Sequence, residues 1–182
     1  FGIGIFGRIR PSKGVDLLID AAIPVLKDNP EATVIVCGET TPKFEGYLNE
    51  QKEKVANADL SERILFLGKR PFEELPVLFK SVSVAVAASR NEGFGLTVLE
   101  AMASGTPVLT SEAGAWKDIV MNGENGFCVP CDDVTALEDK LRLLLDSDIE
   151  ALGKKARERV TKNYTTQREA AALCEHLLSL SK

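Results

Sequence analysis

Histidine is nearly absent: His176 stands alone in a chain of 182 residues, so no His pair exists to complete a metal-ligand set. Cysteine is sparse too, at Cys37, Cys128, Cys131 and Cys174. Cys128-Val-Pro-Cys131 has CxxC spacing, but it follows a short strand late in the chain, whereas a thioredoxin-like site opens a helix early in a βαβ unit. No second CxxC accompanies it, and it reads as a coincidence of spacing. Cys37 and Cys174 read as small buried hydrophobes. No run of apolar residues approaches the roughly 18 to 20 that a membrane span needs. A basic leader followed by an apolar stretch and a small-residue cleavage site is also missing. With cysteines scattered in this way, the reading is a reducing, cytoplasmic compartment. Basic residues are not in excess: 22 Lys and Arg against 27 Asp and Glu give a net charge of −5. That balance excludes a generic nucleic-acid binder and leaves room for a small phosphorylated ligand, which a few placed cations suffice to hold. Internal repeats, low-complexity tracts and linkers are lacking as well.

What is present is the composition of a globular domain, 45% hydrophobic and 27% charged. The length supports one domain, residues 1–182. The chain begins at Phe1 inside an apolar strand-like run and reads as a piece of a larger protein.

Short apolar runs alternate with amphipathic segments. Strands are predicted at Ile3–Gly7, Thr33–Cys37, Ile64–Leu67, Val82–Ala88, Thr106–Thr110 and Gly126–Val129. Helices are predicted at Val15–Leu26, Lys43–Ala58, Phe72–Lys80, Leu96–Ser104 and Trp116–Met121. Three more, Val134–Leu145, Ile149–Lys162 and Gln167–Leu180, follow without strands between them. The alternation implies βαβ units: an α/β, Rossmann-like, mainly parallel sheet with helices on both faces. Ligands of such sheets bind beyond the carboxyl ends of the strands. The informative loops are therefore Gly7–Gly14, Gly38–Pro42 and Ser89–Gly95.

Gly2-Ile3-Gly4-Ile5-Phe6-Gly7 fits GxGxxG literally. The residues between the glycines are the strand itself, Pro11 delays the helix, and the candidate ribose acid, Glu39, lies 32 residues beyond Gly7 where about 20 are expected. A dinucleotide site is rejected. The loop from Gly7 to Gly14 instead carries Arg8, Arg10 and Lys13 between a strand and a helix. Arg8 suits a forked grip on phosphate and Lys13 a point charge; a solvated basic loop is the equally weighted alternative.

The segment Ser89-Arg90-Asn91-Glu92-Gly93-Phe94-Gly95-Leu96-Thr97-Val98-Leu99-Glu100 is the most specific. Gly93 and Gly95 permit a sharp turn and close backbone approach. A helix opening near Gly95 directs its first amides, with the positive end of the dipole, at an anion. Glu92 precedes the turn. Glu100 lies about one and a half turns into an apolar helix, where a carboxylate is costly unless hydrogen-bonded. A solvated loop acid and a surface helix acid are the plain alternatives.

Two acids separated by seven residues, Glu92 and Glu100, around Gly93-Phe94-Gly95-Leu96, resemble the signature of retaining glycosyltransferases of the GT-B fold, family 4. Gly7-Arg8 with Lys13-Gly14, the run Leu99–Pro107, and Asn122-Gly123-Glu124-Asn125-Gly126-Phe127 resemble further segments of that family, in the same order along nearly the whole chain. Val98 stands where many members carry Pro. The first loop is also similar to that of lipopolysaccharide-core mannosyltransferases, which use GDP-mannose.

The resemblance implies that the chain is the C-terminal, donor-binding half of such an enzyme. The acceptor, a glycan or glycolipid, would be held mostly by an N-terminal domain absent from this chain. It implies catalytic roles for Arg8, Lys13 and Glu92: the cations on the departing diphosphate, Glu92 on the donor sugar. Gly7, Gly38, Arg70, Gly93, Phe94, Gly95, Leu96, Thr97 and Glu100 would contact the nucleotide-sugar, with Glu100 on the ribose and Gly38 and Arg70 beside the base; an outward surface charge is the equally weighted alternative for Arg70. No metal or other cofactor is expected, because the donor is a substrate. The half alone is expected to bind nucleotide weakly and to transfer nothing. Peripheral association of the whole enzyme with the inner membrane stays open; no basic amphipathic helix in this half supports it. The rival readings are a sugar-nucleotide epimerase of the same fold and a non-catalytic nucleotide-binding module.

Overall fold

In a computed structural model, which describes residues 1–180, six strands alternate with helices and the last three of eight helices follow without a strand between them, as the sequence pattern predicts. The strands are β1 (Gly2–Phe6), β2 (Thr33–Cys37), β3 (Ile64–Gly68), β4 (Val84–Ala87), β5 (Val108–Ser111) and β6 (Gly126–Val129). The helices are α1 (Val15–Asp28), α2 (Glu45–Asn57), α3 (Leu75–Lys80), α4 (Leu96–Ala103), α5 (Trp116–Ile119), α6 (Val134–Leu145), α7 (Ile149–Asn163) and α8 (Thr166–Leu180). The predicted starts of α2 and α3 are separate 3-10 turns, Pro42–Phe44 and Phe72–Glu74. Strand β5 starts one residue after Pro107. The proline has no N–H for the ladder, but its carbonyl still accepts from Ala85 N at 3.0 Å.

All six strands are parallel in the order β3-β2-β1-β4-β5-β6. The strands read as β-branched apolar runs because both faces are covered. One face packs α1, α2 and α6 on Ile3, Ile5, Val34, Val36 and Leu109. The other packs α4, α5 and α7 on Phe6, Ala85 and Val108, with Trp116 and Met102 fully enclosed. Arg63 closes the first layer: its guanidinium donates to the carbonyls of Leu26, Asn29 and Ala32, at the C-terminus of α1 and in the turn after it, in addition to the backbone bonds that Leu26 O and Asn29 O accept.

The sequence reading fails at one helix. Cys174 is exposed, not buried, as are residues 166–179 throughout. The apolar spacing of Leu173 and Leu177 is present, but no other described element covers that face. No helix among the described residues is long and apolar enough to cross a membrane.

The strand order fixes the place of the chemistry. Helices leave β1 and β4 toward opposite faces, so a crevice opens between their carboxyl ends, and the two loops singled out in the sequence are its walls.

Candidate functional site: the crevice between strands β1 and β4

Arg8, Lys13, Glu92 and Thr97 line this crevice together with Gly7, Ser89 and Trp116. Lys13 lies in a 3-10 turn, Pro11–Lys13, that ends at Gly14. Gly14 has φ +69° and lies against the Ala88 carbonyl, so a Cβ at this position would overlap β4's exit. The glycine thus draws the first wall onto the second. Across the gap, the Lys13 ammonium forms an ion pair with Glu92 Oε2. The other Glu92 oxygen accepts from Gly93 N at 3.1 Å. Both oxygens of Glu92 are therefore engaged within the protein, and Lys13 is held in the crevice and not spread into solvent.

Helix α4 opens at Gly95, at φ +73°, with no side-chain cap on its first turn. Its leading amides face the ligand edge of the sheet, an arrangement suited to an anion. The indole of Trp116 packs directly under Gly95 and donates to its carbonyl at 3.4 Å. Val98, where many family members carry Pro, is buried, and its N–H donates to Gly95 O at 3.2 Å, a bond that proline lacks.

Glu100 is half-buried on α4, and burial raises its pKa above the usual carboxylate range with nothing to offset it. A raised carboxyl binds its proton more tightly folded than unfolded. Its charge therefore costs stability, and that cost is felt as pH climbs from the ordinary glutamate range through the raised value. Glu100→Gln is accordingly expected to melt at the same temperature or higher at neutral pH, and with a flatter profile between about pH 4 and pH 7. Thermal unfolding across that range checks it; a clearly lower melting temperature for the variant at neutral pH would mean that the carboxylate is stabilised by a partner.

The other predicted residues are placed as follows. Arg8 is exposed at the crevice mouth. Arg10 does not join Lys13: it lines a neighbouring groove with Ile9, Glu39 and Thr41, which Arg8 borders as well, and its Nε is buried without a partner among the described residues. Gly38 packs on the Gly7 carbonyl, where a side chain would collide, so it shapes the first wall from behind. Arg70 is exposed beyond β3, two strands from the crevice, close enough to lower the Cys37 thiol's pKa against the larger effect of burial. The side chains of Phe94 and Leu96 are exposed and line a groove with Tyr164, Arg168 and Ala172, leaving only their backbone for a ligand in the crevice. The glycine- and asparagine-rich late segment is structural. The Asn122 and Asn125 side-chain carbonyls accept from Cys128 N and Met121 N, closing the turn before β6.

The sequence missed Arg90 and its partners. Its guanidinium donates to both carboxylate oxygens of Asp16 at 3.0 and 2.7 Å, to Asp132 Oδ1 at 2.5 Å and to Pro11 O at 2.5 Å. Tyr47 donates to Asp16 Oδ1 at 2.7 Å. Burial pushes the Asp16 carboxyl up, but hydrogen bonds from Arg90 and Tyr47 outweigh it and hold the group below its ordinary value. Burial and the bond to Asp16 push the Tyr47 phenol well above its own, so it stays a proton donor.

The strand order and the crevice define a Rossmann-like α/β domain with its ligand edge at the switch point. The chain belongs to the family described as glycosyl transferases group 1, whose model matches residues 3–167. It is 39% identical over 173 residues to the lipopolysaccharide core biosynthesis mannosyltransferase LpcC of Rhizobium leguminosarum bv. viciae, covering 94% of this chain and 49% of that protein. It is 36% identical to the corresponding enzyme LpsB of Rhizobium meliloti, covering 99% and 52%. The chain thus spans about half the length of the curated relatives it matches. Among solved structures it resembles the C-terminal domain of a group 1 glycosyl transferase, LpcC, from Francisella tularensis: TM-score 0.86, 38% identity, 91% of this chain and 87% of that one. Anabaena HepE, solved with UDP and glucose, superposes with TM-score 0.89 at 26% identity over 98% of this chain and 48% of that one. The fold is that of the C-terminal half of GT-B enzymes.

Proposed function

We propose that this chain is the donor-binding half of a retaining hexosyltransferase that moves a sugar from a nucleoside diphosphate to an acceptor hydroxyl in lipopolysaccharide-core synthesis. GDP-mannose is the donor in this reading. The observation that carries it is the meeting of Lys13, Glu92 and the uncapped start of α4 in one crevice of a group 1 domain. The mannosyltransferase relatives favour mannose, and the UDP held by HepE favours a nucleoside diphosphate.

In the reaction the bond between the anomeric carbon and the diphosphate oxygen breaks, one to the acceptor oxygen forms, and the acceptor hydroxyl's proton passes to the departing diphosphate. Charge gathers on the departing diphosphate. In this reading Lys13, Arg8 and the first amides of α4 meet that charge as it develops. These groups supply the countercharge in this proposal, with no resident metal. When the diphosphate takes Lys13, the Glu92 carboxylate is released to hold hydroxyls of the sugar. Glu100, poorly solvated and without a partner among the described residues, is offered the ribose hydroxyls as hydrogen-bond donors. The acceptor, a glycan or glycolipid, is held by the part of the enzyme outside this chain, and any peripheral membrane contact belongs to that whole enzyme.

The full-length enzyme, incubated with GDP-mannose or UDP-glucose and a lipopolysaccharide-core acceptor, tests this. The expected product is a mannoside with the donor's anomeric configuration, identified by NMR, with GDP released. An inverted product, an epimerised donor formed without acceptor, or no transfer from either donor contradicts the proposal.

A further inference from the structure

Arg90 touches more of the ligand edge than any residue predicted from the sequence to act there. Besides its side-chain bonds, its backbone N donates to Ser12 O at 3.0 Å. The carbonyls of Pro11 and Ser12, the two residues immediately before Lys13, are thus both held by Arg90. Arg90 also stands two residues before Glu92. One residue therefore grips the wall that carries the cation while belonging to the wall that carries the acid. Through Asp16 it reaches the first turn of α1, through Tyr47 the helix α2, and through Asp132 the loop after β6, where Asp132 itself takes φ +60°.

Three features separate this role from ligand binding. The guanidinium is flanked by two carboxylates, Asp16 and Asp132, which leaves no net positive charge for a diphosphate. Its Nε, Nη1 and Nη2 all already donate to protein oxygens. It does not line the crevice. The first wall needs such a tie. Its turn is only three residues long, and Lys13 N and Gly14 N are spent on bonds within it, to Arg10 O and Pro11 O.

Resting on the donor-site reading above, we infer that Arg90 is a positioning residue for donor transfer: it fixes the distance between Lys13 and Glu92 by clamping Pro11, Ser12 and Asp16 to the β4–α4 loop. A planar fork is required, because two of its bonds go to one carboxylate while two others go to different loops. Lysine keeps the charge and loses the fork.

The test is a double-substitution cycle in the full-length enzyme, read as kcat/KM for the sugar-nucleotide donor and as the dissociation constant for GDP or UDP, whichever binds. Arg90→Lys is expected to fold, with secondary structure unchanged by circular dichroism, and to lose roughly tenfold or more in both quantities. Asp16→Asn is expected to reproduce that loss, since it replaces one of the two oxygens the fork grips by a donor NH2 and removes the countercharge. Lys13→Ala alone is expected to lose more. Arg90→Lys added to Lys13→Ala is expected to lose little further, because the group being positioned is gone. Additive losses overturn the inference and leave the donor site standing. Unchanged donor kinetics in Arg90→Lys and Asp16→Asn, with only a lower melting temperature, also overturn it and make the network purely structural. A Lys13→Ala enzyme with full donor affinity and turnover would remove the donor-site reading itself.

Discussion

Lys13→Ala in the full-length enzyme is expected to lower kcat by roughly a hundred- to a thousandfold, the size of effect seen when one preorganised charge stabiliser is removed. The ammonium is half-buried beside Glu92, and of the other cations near this edge only the exposed Arg8 shares the crevice with it: Arg10 lines a neighbouring groove and Arg70 lies two strands away. The substitution also leaves Glu92 without its ion-pair partner, so part of the loss appears as a weaker hold on the nucleotide. Steady-state kinetics with varied donor separate the two. A fall in donor affinity alone, with kcat intact, would make Lys13 a ground-state binding group and move the charge-stabilising role to Arg8 and the α4 amides.

The second large effect is on the fold. Gly95→Ala is expected to destabilise the domain by about 2 to 5 kcal/mol. A left-handed backbone costs an L-residue about 1 to 2 kcal/mol, and overpacking a filled core about 1 to 3 kcal/mol more. Both costs apply, because Gly95 has φ +73° and its missing side chain points into the Trp116 indole, which is 2% exposed. The expected fall in melting temperature is roughly 5 to 15 °C. Nucleotide affinity should fall with it, since the first turn of α4 starts at this residue. Trp116→Phe, which shrinks the obstructing ring, is expected to restore part of the loss when combined with Gly95→Ala. A melting temperature unchanged within a degree or two would show that α4 can shift to accept the Cβ, and the rigid-start account of the anion site would fail.

The order of strands and helices was readable because each signal is local. Thr33–Cys37 is an unbroken run of β-branched and apolar residues, which a parallel strand covered on both faces demands, and its bounds agree with the structure. Gly95 followed by Leu, Glu, Ala and Met marks where α4 begins. Strand order is not local. Only folding reveals that β1 and β4, about 80 residues apart, are neighbours, and hence that the loop of Lys13 faces the loop of Glu92. The same limit hid Arg90: its partner Asp16 is 74 positions away, and nothing in the sequence marks an arginine as the centre of a network. Side-chain direction was equally out of reach. Arg10 shares a loop with Lys13 yet points elsewhere, and Phe94 and Leu96, inside the most specific motif, turn their side chains toward α8. Cys174 was misplaced because helical apolar spacing tells which face is apolar and not whether anything in the same chain covers it.

In the proposed function the crevice between β1 and β4 holds the nucleoside diphosphate of a sugar donor. Calorimetric titration of the full-length protein with GDP, UDP and ADP, repeated on Lys13→Ala and Glu100→Gln, addresses it most directly. Selective binding of one diphosphate is expected, GDP in the mannose reading, weakened about ten- to a hundredfold by each substitution, the scale of one lost hydrogen bond to a charged group. Binding of none of the three, or binding that both substitutions leave untouched, would contradict it.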